Sequence, residues 1–136
     1  MDYKFRGKCT QSKKWVTGFY YYCKTDRKHF ILSLSTNLIA GKERQEEIIV
    51  DPETVGQYTG VKDKNGREIY EGDVVLYLDF GIRYHDEEFI NKGVVERSDW
   101  GFAFSNRETI KMEDMDLSEI EVIGNIHDNP ELLNND

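Results

Sequence analysis

The chain has 136 residues, of which 38% are hydrophobic and 12% aromatic, enough to bury the core of one domain or of a domain with a small second lobe. Its formal net charge is −8 at pH 7, and the aromatic content argues against a disordered chain despite 32% charged residues. No apolar run reaches the roughly 18 residues of a membrane span, and the N-terminal MDYKFRGK lacks the apolar segment of a signal peptide. The sequence therefore predicts a cytoplasmic protein without a membrane partner.

The first 50 residues predict an antiparallel β meander. Residues 3–8 alternate aromatic and basic side chains, the period-two pattern of a strand with one buried and one solvated face. Residues 15–23 and 29–34 are rich in aromatic and β-branched residues and predict two further strands. Residues 38–45 are ambiguous, but Asn37, Gly41 and the charged residues favour a surface loop before a strand over 46–50.

A short turn of helix is predicted directly after this meander. Asp51 is suited to accept backbone N–H bonds as an N-cap, Pro52 fits the first helical position, and Glu53 favours the positive end of a helix. We expect this turn to end near Gly56.

The run QYTGVKDKNGREIYEGDVVLY, residues 57–77, predicts a hairpin tip, a short strand, a second turn and a long strand. The tip is placed at 63–66 because Asn65 and Gly66 tolerate positive φ. Asp63 and Asn65 are also similar to the start of a calcium-binding loop, but Val74 stands where that loop needs a bidentate Glu. A turn is therefore favoured over a metal site.

The rest of the chain alternates short strands with turns. An acidic, irregular loop is predicted over 79–88, and strands over 92–96, 100–104, 109–112 and 121–126. Close spacing of short strands is typical of a barrel or sandwich and not of a parallel βαβ sheet.

The spacing of Gly72-Asp73-Val74-Val75 and the later Gly93-Val94-Val95 resembles the strands of small Src-homology-like barrels. The predicted fold is mainly β: an N-terminal antiparallel lobe over 1–50, then one short helix and a small β-barrel with a C-terminal strand over 51–136.

Neither an active site nor a bound cofactor is predicted. No G-x-S-x-G, cysteine-protease-like context or phosphate-binding glycine loop occurs. His85-Asp86-Glu87-Glu88 is interpreted as a solvated loop in preference to a cation site, so no metal is expected. Cys9 and Cys23 are expected to be free thiols in a reducing cytosol, although two cysteines also allow one disulfide.

The charge is unevenly distributed along the chain. Residues 1–50 carry ten Lys and Arg against five Asp and Glu, a net charge of +5, whereas residues 51–136 carry eight against twenty-one, a net charge of −13. This asymmetry predicts self-association through complementary surfaces, with the aromatic side chains of Tyr20, Tyr21 and Tyr22 at the centre of the contact.

Single-stranded nucleic acid is the alternative partner. Cations contact phosphates and aromatic rings stack on bases, and the N-terminal lobe interleaves both types of side chain. The candidate contacts are Lys4, Arg6, Lys8, Lys13, Lys14 and Trp15. Core packing with solvated cations is the competing interpretation, and the acidic remainder of the chain would repel phosphate.

Four segments in this order resemble the YopX family, small proteins of phages and prophages of Gram-positive bacteria. They are Lys4-Phe5-Arg6-Gly7-Lys8, Trp15-Val16-x-Gly18, VDPETVGQYTGVKDKNGREIYEGDVV over 50–75, and EVIGNIHDNPELL over 121–133. The resemblance implies a phage or prophage origin and a mainly β fold with a small-barrel subdomain, and it brings no catalytic residues. It does not extend to 78–91 or to the three consecutive tyrosines. The predicted function is a non-enzymatic accessory protein that acts as a binding or assembly module, and its phage origin makes a phage or host protein a further class of partner.

Overall fold

The computed structural model describes residues 4–39, 42–79, 89–98, 101–105, 110–111 and 120–133. The chain forms two compact units, residues 1–58 and residues 59–136. The acidic segment predicted as a loop over 79–88, the strand start at Trp100 and the segment between the last two predicted strands fall largely or wholly outside the described residues.

The first unit is an antiparallel sheet of consecutive strands, as the sequence predicts. The strands are β1 (Phe5–Lys8), β2 (Trp15–Cys23), β3 (Lys28–Ile39), β4 (Lys42–Ile49) and the start of β5 (Gly56–Lys62), in the spatial order β4-β3-β2-β1-β5. All neighbours pair antiparallel. The mainly β class is thus confirmed.

The predicted loop over 38–45 is wrong, because β3 continues to Ile39 and β4 begins at Lys42. This segment has no alternation of apolar and polar residues that would reveal a strand. Its strand form comes from backbone pairing with β3, in which Leu34 stands opposite Gln45 and Ser35 opposite Arg44.

Two glycines make room for the core of this sheet. Ile31 is fully buried, and its side chain lies against the backbone of Gly18 on β2 and Gly7 on β1. A Cβ on Gly18 would collide with the carbonyl oxygen of Leu32, and one on Gly7 would lie 3.1 Å from Ile31 and 3.2 Å from Val50. The missing side chains therefore let Ile31 and Val50 pack across the neighbouring strands.

The end of β4 returns to the end of β1. Cys9 and Val50 form an isolated antiparallel bridge. On either side of it, the Thr10 amide donates to the Ile49 carbonyl at 3.1 Å and the Asp51 amide donates to the Lys8 carbonyl at 2.9 Å. The sheet of the first unit thus curls until its first and fourth strands touch at one end.

The predicted short helix is a single 3₁₀ turn at Pro52–Thr54. Asp51 caps it as expected, since its side chain accepts the Glu53 amide at 3.1 Å. The turn stops at once because Val55 has an extended backbone, with φ −69° and ψ 126°. The described part of the chain has no helix that is long and apolar enough to cross a membrane.

The second unit contains the end of β5 and six further strands. These are β6 (Glu68–Tyr70), β7 (Asp73–Asp79), β8 (Phe89–Ser98), β9 (Gly101–Ser105), β10 (Ile110–Lys111) and β11 (Glu121–Asn125). Strand β6 pairs with β5, and the others form a sheet in the order β10-β9-β8-β7-β11. A second 3₁₀ turn, Pro130–Leu133, follows β11.

The predicted barrel is not closed in the second unit. Among the described residues, β10 and β11 lie at opposite ends of the sheet. The outer edge of β11 is occupied by the hairpin tip after β5: the Val122 amide donates to the Asp63 carboxylate at 3.0 Å, and the Ile120 carbonyl accepts the Lys64 amide at 2.9 Å. A turn, and not another strand, therefore satisfies this edge.

One hydrophobic cluster forms the core of the second unit. Its members are all buried and come from β6, β7, β8 and the region of β11: Ile69, Val75, Tyr77, Val95, Ile120 and Val122. On β7 the side chains of Val75 and Tyr77 lie two residues apart and therefore point to the same side of the sheet, as the period of a strand requires.

Asp63 connects the hairpin tip to β11. One carboxylate oxygen accepts the amides of Asn65 and Arg67, each at 2.9 Å, and the other accepts the Val122 amide. Burial, which leaves Asp63 only 7% exposed, raises the pKa of its carboxyl, but the three amides outweigh burial and hold the pKa below its ordinary value. The Asp63 carboxylate, which resembles a calcium ligand in the sequence, thus accepts hydrogen bonds from backbone amides.

Gly72 forms the tight entry to β7. Its φ is 93°, a conformation that side chains rarely adopt. Its amide donates to the Val95 carbonyl at 2.9 Å and its carbonyl accepts the Ile126 amide at 3.0 Å. One turn residue therefore connects to both β8 and the segment after β11, and it has little freedom to relax.

We expect Asp63→Asn to lower the free energy of unfolding at pH 7 by about 1–3 kcal/mol, because an amide NH₂ replaces an acceptor facing buried N–H groups. A lowered pKa in the folded state makes the carboxylate stabilising above about pH 4, and this contribution disappears as pH falls through the folded pKa. Urea denaturation of the wild type and of Asp63→Asn, from pH 7 down into the acid range, measures this contribution. The difference in the free energy of unfolding between the two proteins should become smaller as the pH falls. Exposed Asp26→Asn is the control, and equal stability of Asp63→Asn and wild type at pH 7 would contradict the assignment.

We expect Gly72→Val to cost about 1–3 kcal/mol, because valine would be forced into a strained backbone conformation. Gly66 also has a positive φ, 81°, but open space surrounds its Cβ direction, so Gly66→Asn should have a small effect. Equilibrium denaturation of the two variants checks both expectations. An unchanged midpoint for Gly72→Val would remove the tight-entry argument.

Candidate functional site

The candidate residues of the first unit divide between two faces of its sheet. Neighbouring residues of a strand point to opposite faces, whereas residues directly opposite one another on paired strands share a face. Tyr20 stands opposite Ile31, and Tyr21 stands opposite Phe30. We call the face with Ile31 the inner face and the face with Tyr21 the outer face. The predicted cluster of three consecutive tyrosines is therefore split, with Tyr21 alone on the outer face.

The inner face carries a connected aromatic group. The Tyr20 hydroxyl and His29 Nδ1 are hydrogen-bonded at 2.5 Å, and the two rings are parallel with centroids 5.8 Å apart. Tyr22 contacts the same imidazole at 4.8 Å between centroids, and Phe5 lies 5.7 Å from Tyr20. This group ties β1, β2 and β3 together by ring contacts on one side of the sheet.

Tyr21 packs on the outer face against Phe30, with ring centroids 5.4 Å apart. Partial removal from water raises the pKa of Tyr21, and a hydrogen bond to the Glu47 carboxylate together with its negative charge raises it further, to about 12. The hydroxyl thus stays protonated and donates to Glu47 at physiological pH. This contact links β2 to β4.

The outer face also collects the basic side chains of β1. The guanidinium of Arg6 lies 4.7 Å from the centre of the Trp15 ring, and the Lys8 ammonium lies 5.5 Å from the same ring. The Lys4 ammonium lies 5.4 Å from the centre of the Tyr58 ring. These are cation–π distances. Of the predicted nucleic-acid contacts, Arg6 and Lys8 are thus brought together on the Trp15 ring, and Lys4 lies on a second ring.

The other two predicted contacts lie on the turn between β1 and β2. Lys13 and Lys14 are exposed. Lys13 adopts φ 62° in a turn that is closed by a hydrogen bond, in which the Lys13 amide donates to the Cys9 carbonyl at 2.9 Å. Arg6, in contrast, is buried beside Trp15. Contact of this group of residues with nucleic acid stays a prediction.

Phe19 is the most exposed large hydrophobic residue of the described chain, at 61%. It stands opposite Leu32 and therefore lies on the outer face, between the Trp15 end of β2 and Tyr21. Tyr22, on the inner face, is 48% exposed. In the sequence the aromatic residues of β2 form one run, and the strand register is needed to place Phe19 and Tyr21 on one face and Tyr20 and Tyr22 on the other.

A small cavity of about 290 Å³ opens beside the end of β4. It is bordered by the Cys9–Ser12 turn, by Val16 and by Glu47–Ile49. Hydrogen bonds from Ser12, with a smaller contribution from Gln11, lower the pKa of the Cys9 thiol below its ordinary value. Cys9 and Cys23 are both free thiols.

The described residues contain no cluster of three or more His, Cys, Asp or Glu side chains arranged to hold a metal ion. The acidic segment around His85 lies outside those residues. Buried polar side chains instead bind backbone groups of their own chain: Asp73 accepts the Tyr70 amide at 2.7 Å, and Asn125 accepts the amides of His127 and Asp128, each at 2.9 Å.

The fold is similar to that of a solved structure over nearly the whole length of both chains. The crystal structure of protein EF1440 from Enterococcus faecalis is 26% identical in sequence, with a TM-score of 0.61 over 98% of this chain and 99% of that chain. No curated protein matches the sequence. Residues 4–134 match the family described as YopX protein. This match covers both units, so the chain belongs to the YopX protein family.

Proposed function

We propose that this protein is a non-enzymatic phage or prophage accessory protein that acts in the host cytoplasm as an assembly module and self-associates through the outer face of its first sheet. The observation that carries the proposal is the 61% exposure of Phe19 on a sheet face where Tyr21 and Phe30 pack against each other. A large apolar side chain on an otherwise ordered sheet face is typical of a protein contact when it lies beside other aromatic residues.

The surroundings of Phe19 favour a protein contact. Tyr21 and Phe30 lie on the same face, and aromatic side chains supply much of the binding energy at the centres of interfaces. Glu47 and the basic residues of β1 border this aromatic strip. A surface with an apolar centre and a charged margin has the anatomy of a protein interface.

The distribution of charge supports a second copy of the chain as the partner. Residues 1–50 carry a net charge of +5 and residues 51–136 a net charge of −13. Contact between unlike parts of two copies lowers the repulsion that each acidic region alone would experience. Because exposed charges are screened by salt, the aromatic contact supplies affinity and the charges mainly orient the subunits.

The roles of the buried polar groups support a non-enzymatic function. The carboxylates of Asp63 and Asp73 accept backbone amides, and the side chain of Asn125 accepts two more. Acid–base catalysis requires groups within reach of a substrate, whereas these side chains close turns and fasten strands within their own unit.

We expect light scattering after gel filtration, at about 100 micromolar chain, to give a mass above the 16.0 kDa of one chain. Phe19→Asp should lower this mass, because a desolvated carboxylate opposes burial of the aromatic strip. Samples are treated with nuclease so that bridging nucleic acid does not produce the mass.

Leu133→Asp is the matched control, because Leu133 is 45% exposed and belongs to the second unit. It should leave the mass unchanged. A strict monomer in the wild type, or equal masses for wild type and Phe19→Asp, would overturn the proposal. If the mass does not depend on salt but is lowered by Tyr21→Asp, the aromatic contact holds the copies together and the charges contribute little.

A further inference from the structure

Strand β4 is the outermost strand of the first sheet, and its backbone orientation follows from two hydrogen bonds. The Val50 amide donates to the His29 carbonyl, toward β3, whereas the Ile49 carbonyl accepts Thr10 on the opposite side. In an antiparallel ladder, successive residues alternate between these two directions. The N–H and C=O groups of Gln45 and Glu47 therefore point away from β3, in the regular part of the ladder between Arg44 and Ile49.

The outer edge of β4 is covered at one end only. Thr10 occupies it at Ile49, where the sheet curls back to β1. From Glu47 back toward Lys42, no described strand pairs with this side of β4. Glu46 and Glu47 are themselves exposed. An open run of alternate donors and acceptors is a template for one more strand.

The order of charges along β4 indicates which strand fits. Its sequence is KERQEEII, with both basic residues in the first half and two acidic residues directly after Gln45. An antiparallel copy of the same strand places the basic half of each chain beside the acidic half of the other. We infer that β4 pairs edge to edge with β4 of a second copy, which joins two first-unit sheets into one continuous sheet.

The direction of the backbone groups fixes the register of this pairing. Outward residues must face outward residues, so Gln45 can stand opposite Gln45 with position 44 opposite position 46. This register sets Arg44 against Glu46 twice, in the closer pairs that do not exchange hydrogen bonds. A shift of one chain by two residues would instead set either Arg44 or Glu46 opposite itself.

The same register sets Glu43 opposite Glu47, a like-charge contact that opposes the pairing. These positions form the wider hydrogen-bonded pairs, in which side chains are farther apart. The Glu47 carboxylate is also held by the Tyr21 hydroxyl, which draws it toward the outer face of its own sheet. The closer Arg44–Glu46 pairs therefore select the register.

This inference rests on the proposed self-association and assigns part of the contact to the outer edge of β4. Pairing of β4 is symmetric, with the same residues contributed by both copies, so by itself it closes at two chains. The aromatic strip around Phe19 is a second surface. Edge pairing and the aromatic contact together would build an assembly larger than a dimer. A substitution on β4 and a substitution at Phe19 can disrupt the two contacts separately.

Cross-linking at the symmetry axis tests the register. In a chain with Cys9→Ser and Cys23→Ser, Gln45→Cys should form a covalent dimer under mild oxidation, because residues opposite one another in hydrogen-bonded pairs have Cα atoms about 5.5 Å apart, within disulfide range. Glu47→Cys in the same background is the matched control and should give at least about tenfold less dimer, because the register sets it opposite Glu43, beyond disulfide reach of its own copy.

Gln45→Pro tests the edge without a disulfide. Proline removes an N–H that points away from β3, so the hairpin should still form while the edge loses a donor. Gln45→Ala keeps the donor and is the control. We expect the proline variant to have at most about half of the wild-type mass, because it can no longer form the symmetric edge pair, with far-UV circular dichroism confirming that it is folded.

The outcomes separate the edge from the proposed function. Equal masses for wild type and Gln45→Pro, or cross-linking of Glu47→Cys as strong as that of Gln45→Cys, would overturn the edge pairing and leave the aromatic contact standing. A lower mass for Gln45→Pro together with no effect of Phe19→Asp would support the edge and overturn the aromatic contact. A wild-type monomer would overturn both.

Discussion

The second unit depends on the hydrogen bonds of the buried Asp63 carboxylate. The Asp63 carboxylate is almost fully removed from water, and a bare carboxylate in that position would be strongly destabilising. It is tolerated because three amides converge on it, two from its own turn and one from β11. The turn therefore has its full stability only when β11 is in place, and the edge of β11 is satisfied only when the turn has formed. Local and distant structure are coupled through one side chain.

In the first unit the corresponding constraint is steric. Gly7 and Gly18 leave a shallow space across two strands, and Ile31 fills it from a third. Because this packing fixes which residues lie inside, it also fixes which are displayed outside. Phe19 and Tyr21 are on the outer face for the same reason that Tyr20 lies beside the core. The binding surface we propose is thus a consequence of where the glycines stand.

Much of the fold could be predicted from local chemistry. Asp51-Pro52 marked its turn, Asn65-Gly66 marked the hairpin tip, and alternating or aromatic runs marked β1 and β2. These signals work because each element is determined by its own residues. The family resemblance rested on four segments, of which the turn-rich run over 50–75 is one, and it is confirmed by the match over residues 4–134.

What could not be predicted depends on contacts between distant residues. The middle of β4 has no strand pattern, and its form comes from its partner β3. The role of Asp63 required knowing that Val122 lies beside it, and the open sheet of the second unit follows from that contact. The three tyrosines look like one cluster in the sequence, but the pleat of β2 divides them between two faces. The cations of β1 gave no sign that Arg6 would be buried against Trp15.

The bridge between Cys9 and Val50 has a consequence for how the first unit is made. The pairs β1–β2, β2–β3 and β3–β4 join neighbours along the chain, and short loops of this kind have low closure entropy. The bridge joins the start of this series to its end. A chain that emerges from the ribosome N-terminus first can form the hairpins in order, but the bridge must wait for Val50. Until then the growing sheet has exposed edges at both sides, and completion of the curl removes part of one of them.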